Sequence, residues 1–201
     1  MNANNTNNNL NIRLTDRDIL MLKIISKSGS ATFKFLSEEL GYKKTRMDQL
    51  AKAGFIEENN DPTKGGKRGK KLINRYSYSL ATKGVDYCKM NRFITAHGGH
   101  NGHDHAHITC KFVYNLLDKE QIDIQSIKNE KELELIYRKE IATARRSKLK
   151  FSVCDLAVVK DDETTIYEVE TANYRAEHRL KHKNFASKVA NISKDNYKII
   201  K

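Results

Sequence analysis

Tyr76, Tyr78 and Leu80 alternate with Ser77, Ser79 and Ala81 in "RYSYSLA". A period of two is the repeat of an extended strand, not of a helix. Upstream, "FIEE" at residues 55–58 reads as a second short strand. Between them, residues 64–75 hold Lys64, Lys67, Arg68, Lys70, Lys71 and Arg75, broken by glycines and with no acid. Strand candidates on both sides predict a hairpin with a charged tip in place of a free linker.

Three helical patterns precede that hairpin. "LTDRDILMLKIIS" opens with Thr15 and Asp18 at capping-box spacing. Its wide apolar stripe predicts a well-buried helix. "TFKFLSEELG" is a short second helix with Thr32 as N-cap and Gly41 at its end. "KKTRMDQLAKAG" is the third, with Met47, Leu50 and Ala51 turned inward. Lys43, Lys44, Thr45, Arg46, Gln49 and Lys52 are left on its outer side. Three helices, a hairpin, and then "LATKG" opening a further helix give the order of a winged helix-turn-helix over residues 13–92. In such a unit the third helix enters the major groove, where Arg, Lys and Gln donate to base edges and phosphates. Cations on the hairpin then displace counterions from the DNA backbone.

Charge supports an anionic partner. The 201 residues carry 37 Lys and Arg against 25 Asp and Glu, net +12, with a pI near 9.5. The excess is concentrated in residues 1–91, net +8, against +4 in 92–201. Mean hydropathy is −0.71, so the core is expected to be modest or split in two. No apolar run reaches the roughly 20 residues of a membrane helix. The start, "MNANNTNNNLNI", lacks the basic and apolar regions of a signal peptide. Residues 1–12 are expected to be a disordered tail, and the chain to be cytoplasmic without a membrane partner. Cys88, Cys110 and Cys154 have no CxxC spacing and are expected as buried thiols.

"HGGHNGHDHAH" divides the chain, and residues 93–104 read as a His/Gly-rich linker. His97, His100, His103, His105 and His107 match no standard zinc spacing, while His107 sits at the edge of the next helix. Residues 105–201 then offer helices at "ITCKFVYNLLDK" and "EKELELIYRKEIATARRSK". A hairpin follows at "FSVCDLAVVKDDETTIYEVE", turning at Lys160–Glu163. A basic helix and the start of a strand, "YKIIK", complete the pattern. Asp155, Glu168 and Glu170 fall on strands that are otherwise mostly apolar, where carboxylates must be paired, solvated in a cleft or bound to metal. Asp155 and Glu168 are the candidate ligands of a hard divalent cation that polarises a phosphate and activates water. His178 and His182, at i, i+4 in "EHRLKHK", are a possible ligand pair, although Arg179 and Lys181 favour a basic helix face.

The second half resembles the PD-(D/E)xK restriction-endonuclease-like fold, with Asp155 in "VCDLAVV" and Glu168 in "IYEVE" as matching acids. That resemblance implies a third acid from the preceding helix, for which Glu140 is the candidate metal ligand. Glu170 stands where the motif has lysine, which leaves a migrated cation such as Lys139 or Lys181, a different metal arrangement, or an inactive nuclease domain. Together the halves resemble the replication-relaxation family of mobile-element proteins, through "LTDRDILML", "LATKG", "HAHITCKFVYNLL", "CDLAVV" and "YEVE". The resemblance implies a plasmid or integrative-element protein that binds double-stranded DNA in conjugative transfer, replication or regulation. A relaxase or other element proteins would be its partners, and a homodimer is plausible for reading paired half-sites. DNA binding would need no cofactor, and a nuclease would need magnesium or manganese. The overall expectation is a mixed α+β or α/β chain, a winged helix followed by a small nuclease-like domain. The alternatives are a metal-dependent nuclease or nickase, and a protein-interaction module.

Overall fold

A computed structural model describes residues 12–59, 76–97, 102–172 and 174–201. The fold is mixed α+β with two small sheets. The first half runs α1 (Asp16–Ser28), β1 (Ala31–Thr32), α2 (Phe33–Glu38), α3 (Lys44–Lys52), β2 (Ile56–Asn59), β3 (Ser77–Leu80) and α4 (Thr82–Met90). Its three strands pair antiparallel in the order β1-β3-β2. Local chemistry sets these boundaries as expected. Thr15 and Asp18 form a reciprocal capping box at the start of α1, and Thr32 accepts from the Phe35 amide at the start of α2. Gly41 and Gly54 take φ values of +65° and +81°, which a side chain would strain. Gly84 is needed for space, because a Cβ there would come 2.0 Å from the Phe55 carbonyl oxygen.

The second half runs α5 (His103–Asp118), β4 (Ile127–Asn129), α6 (Glu130–Ile136), α7 (Arg138–Arg146), β5 (Leu156–Lys160), β6 (Glu163–Val169), α8 (Ala176–Asn184) and β7 (Tyr197–Ile200). A π-helical turn, Phe185–Val189, continues α8. The sheet order is β4-β5-β6-β7, with β7 parallel to β6 and the other pairs antiparallel. The β5–β6 hairpin turns at Asp161 and Asp162, both at positive φ, with Lys160 paired to Glu163. That is the turn position expected from the sequence.

Two elements differ from expectation. The helical pattern from Glu130 to Lys148 breaks at Tyr137, whose φ and ψ are −97° and 25°. A continuous helix would have turned Ile136 inward, but Leu135 and Ile136 are exposed. The helix expected at Ile108 begins at His103, so the linker histidine His103 and its neighbours His105 and His107 lie on α5.

The second sheet is packed on both faces. Leu156 and Val158 join one apolar cluster with α1, α2, α3 and α5, while Ala157 and Ile166 join another with α6, α7 and the π turn. Period-two alternation thus sends neighbouring residues of β5 into different cores, which explains the nearly continuous apolar run. The first cluster also crosses between halves of the chain. It takes Met21, Phe35 and Leu50 from the first half and Cys110, Val113 and Leu116 from α5. Phe93 and Ile94, in the stretch expected as linker, are buried in it. Glu132 reinforces the join. It pairs with Lys27 at 2.7 Å and also accepts from the amide and hydroxyl of Thr95. No described helix is long and apolar enough to cross a membrane.

Candidate functional site

The outer face of α3 divides into tied and open groups. Arg46 forms an ion pair with the buried Asp18, 2.5 Å between Nη2 and Oδ2, and also donates to the Arg13 carbonyl. Tyr42 donates to the same carboxylate at 2.9 Å. Burial opposes the Asp18 charge, yet Arg46, Thr15 and Tyr42 together hold its carboxyl below the usual range. Lys44 pairs with Asp48 at 2.8 Å and with Glu58, and donates to the Tyr78 hydroxyl at 3.1 Å. Lys43, Thr45, Gln49 and Lys52 are exposed. Arg46 and Lys44 therefore brace α3 against α1 and the sheet, a role that the sequence pattern did not reveal. Lys64, Lys67, Arg68, Lys70, Lys71 and Arg75 lie outside the described residues; their segment joins β2 to β3.

A second set of polar groups gathers at the end of the β5–β6 hairpin. Asp155 lies just before β5, one step beyond the Leu156–Tyr167 pair. Its Oδ2 accepts from the Val169 amide at 2.8 Å, and its Oδ1 lies 2.9 Å from His105 Nε2. His105 comes from α5, where the Thr109 hydroxyl lies 3.3 Å from its Nδ1. Burial disfavours the imidazolium, but the hydrogen bond and charge of Asp155, with Glu168 and Glu130, raise its pKa.

Glu168 is 2% exposed on β6. Tyr174 donates to its Oε1, and its Oε2 lies 2.9 Å from His182 Nδ1 on α8. The two atoms pair as ions when the imidazole is protonated, but neither makes an aligned hydrogen bond among the described residues. Burial is the main cause that raises the Glu168 carboxyl, and the nearby Asp155 charge adds to it. Cys154, fully buried, offers its sulfur to the same place; Cys154, Glu168 and His182 have ligand atoms within 4.8 Å of one another. Burial, then the charges of Glu168 and Asp155, push the Cys154 thiol well up. The Tyr197 hydroxyl is also buried without a partner among the described residues, and burial raises its pKa.

The expected carboxylates are only partly brought together. Asp155 and Glu168 meet at this place. Glu170 forms a two-point ion pair with Arg179, at 2.6 and 2.7 Å, which anchors α8 to β6. Glu140 is exposed on α7 in a small cleft with Lys139, Thr143 and Lys188. The break at Tyr137 takes it off the face expected of a continuous helix. Glu130, at the start of α6, is the helical acid near the site: partial desolvation, together with the charge of Asp155, raises its carboxyl. Of the cations considered as replacements for the motif lysine, Lys181 pairs with Glu177 at 2.7 Å, and Lys139 lies in the Glu140 cleft. A larger cleft of about 580 Å³ runs beside the cluster, lined by Glu130, Arg145, Lys150, Ser152 and Lys181 among others.

For a hard cation the fit is poor on the acids alone. Magnesium requires near-octahedral oxygen ligation, whereas both Asp155 oxygens face hydrogen-bonding groups and Glu168 Oε2 faces an imidazole and a thiol. The histidines are also redistributed. His107 lies 2.9 Å from the Thr32 hydroxyl and joins α5 to α2. His178 packs edge-on against Tyr174 instead of pairing with His182. Cys88, Cys110 and Cys154 are free and buried, as expected. Sequence reasoning missed His105 because its Gly-rich surroundings resembled a linker. The signal was present in the apolar spacing of Ala106, Cys110 and Val113, which extends the α5 pattern backward. No family model, curated protein or solved structure matches the chain.

Proposed function

We propose that the protein binds double-stranded DNA through its first half, in the manner of a winged helix. The observation that carries this reading is the order α1-β1-α2-α3-β2-β3 around a β1-β3-β2 sheet, with six cations and no acid in residues 64–75 between its paired strands. Lys43, Thr45, Gln49 and Lys52 face solvent on α3 and are suited to base edges or phosphates. Arg46 and Lys44 fix the angle of α3, so their contribution is positional. Replacing Lys67, Arg68, Lys70 and Lys71 together with alanine is expected to weaken duplex binding at least tenfold. It should also flatten the dependence of affinity on salt, because each lost phosphate contact removes released counterions. Fluorescence anisotropy at several salt concentrations measures both effects, and unchanged affinity would remove the hairpin from the interface. A role in transfer, replication or regulation of a mobile element rests on the family resemblance of the sequence motifs.

A second reading, a metal-dependent nuclease, is favoured by the meeting of Asp155 with Glu168 beside His105 and His182. If it holds, supercoiled DNA is nicked or cut in the presence of magnesium, manganese or zinc, and Asp155→Ala abolishes the cut. Equal activity in parent and variant preparations would exclude this site as its source.

A further inference from the structure

We infer that Cys154, Glu168 and His182 form a binding site for one zinc ion. The inference goes beyond DNA binding and does not depend on it. Three different elements supply the donors: the segment before β5, strand β6 and helix α8. A sulfur, an imidazole nitrogen and a carboxylate oxygen converge within 4.8 Å. This mixed set suits a borderline cation such as zinc, which takes Cys, His and Glu at about 2.0–2.3 Å, better than magnesium or calcium.

The second observation is the state of the donor atoms. Glu168 is 2% exposed, and its Oε2 makes no aligned hydrogen bond among the described residues, its only close polar neighbours being the His182 imidazole and the Cys154 thiol. His182 Nδ1 faces it at 2.9 Å and is likewise unsatisfied. A buried polar atom without a partner is costly. A cation between these atoms satisfies both and takes the nearby sulfur as a third ligand. The surroundings hold the donors in place as metal sites require: the Tyr174 hydroxyl fixes the other Glu168 oxygen, and the Arg179–Glu170 pair ties α8 to the end of β6. Three protein ligands leave a fourth position of the tetrahedron for water or substrate.

The experiment uses the full chain, stripped with a chelator and titrated with zinc against a chromophoric competitor, and with cobalt as a spectroscopic probe. One zinc equivalent is expected to bind with a site-specific affinity that Cys154→Ser and Glu168→Gln each reduce at least tenfold. Cobalt should give a near-ultraviolet thiolate charge-transfer band that disappears in Cys154→Ser. Replacing His100 and His103 with glutamine should leave the band intact, which separates this site from the histidine-rich stretch. A variant with Cys88 and Cys110 changed to alanine keeps Cys154 as its sole cysteine and should retain the band. Absence of the band in the parent chain, its persistence without Cys154, or its loss in the sole-cysteine variant while circular dichroism shows the fold intact, would overturn the proposal. So would preferential binding of magnesium at the same stoichiometry.

Discussion

Glu132 and Glu168 are each 2% exposed, yet they are held in opposite ways. Glu132 accepts from Lys27, the Asn129 amide and both donors of Thr95, so every oxygen has partners. Its capping box at the start of α6 adds a local reason for the geometry. Glu168 has one hydroxyl donor and an imidazole contact that is not aligned as a hydrogen bond. The first arrangement resembles a rivet between the halves of the chain. The second holds a buried carboxyl with fewer aligned donors, so burial disfavours its charged form.

The largest expected effect breaks the rivet. Glu132→Ala strands Lys27, whose pKa burial already holds down against the opposing pull of Glu132. A loss of about 3–5 kcal/mol is expected, the usual result of removing one partner from a buried pair. Chemical denaturation measures it. The double change Lys27→Met with Glu132→Leu should recover only part of that loss, because both charges leave the interior together while the Thr95 and Asn129 amides lose their acceptor. If the single variant costs no more than an exposed substitution, Glu132 is not the joint described here.

The smaller effect has the opposite sign. The fold raises the pKa of Glu168, so it favours the protonated acid. That contribution is complete below the ordinary carboxylate range and is lost as pH rises through the raised value. In metal-stripped protein, the stability of Glu168→Gln relative to the parent should therefore rise between pH 4 and pH 8, by about 1.4 kcal/mol for each unit by which the fold raises the Glu168 pKa. Thermal unfolding at the two pH values tests this. A large loss at both would mean that Glu168, like Glu132, is a fully satisfied structural group.

The same contrast governs what could be read from the sequence. Local chemistry was legible: the Thr15–Asp18 box, Thr32 as a cap and the turn between Lys160 and Glu163 follow from residue type and spacing. Period-two patterning found β3 and the hairpin. Contacts made across the chain were not legible. Nothing near Arg46 signals that a buried Asp18 lies opposite, and nothing near Glu132 names Lys27, 105 residues away. Glu140 was favoured over Glu130 because the apolar periodicity ran on through Tyr137, where the chain bends. The site at Glu168 was half visible. Its acids stood out on apolar strands, but His105 and His182 come from helices on either side of the hairpin and carry no local mark of a shared destination.

The strand β5 carries one further consequence. Its odd and even residues belong to different cores, and the residue before it, Asp155, reaches the Val169 amide. A slip of β5 by one residue against β6 would therefore change phase along the whole strand. Leu156 and Ala157 would exchange destinations, and Asp155 would leave the place where Glu168 waits. Packing and chemistry are in this sense written in a single reading frame.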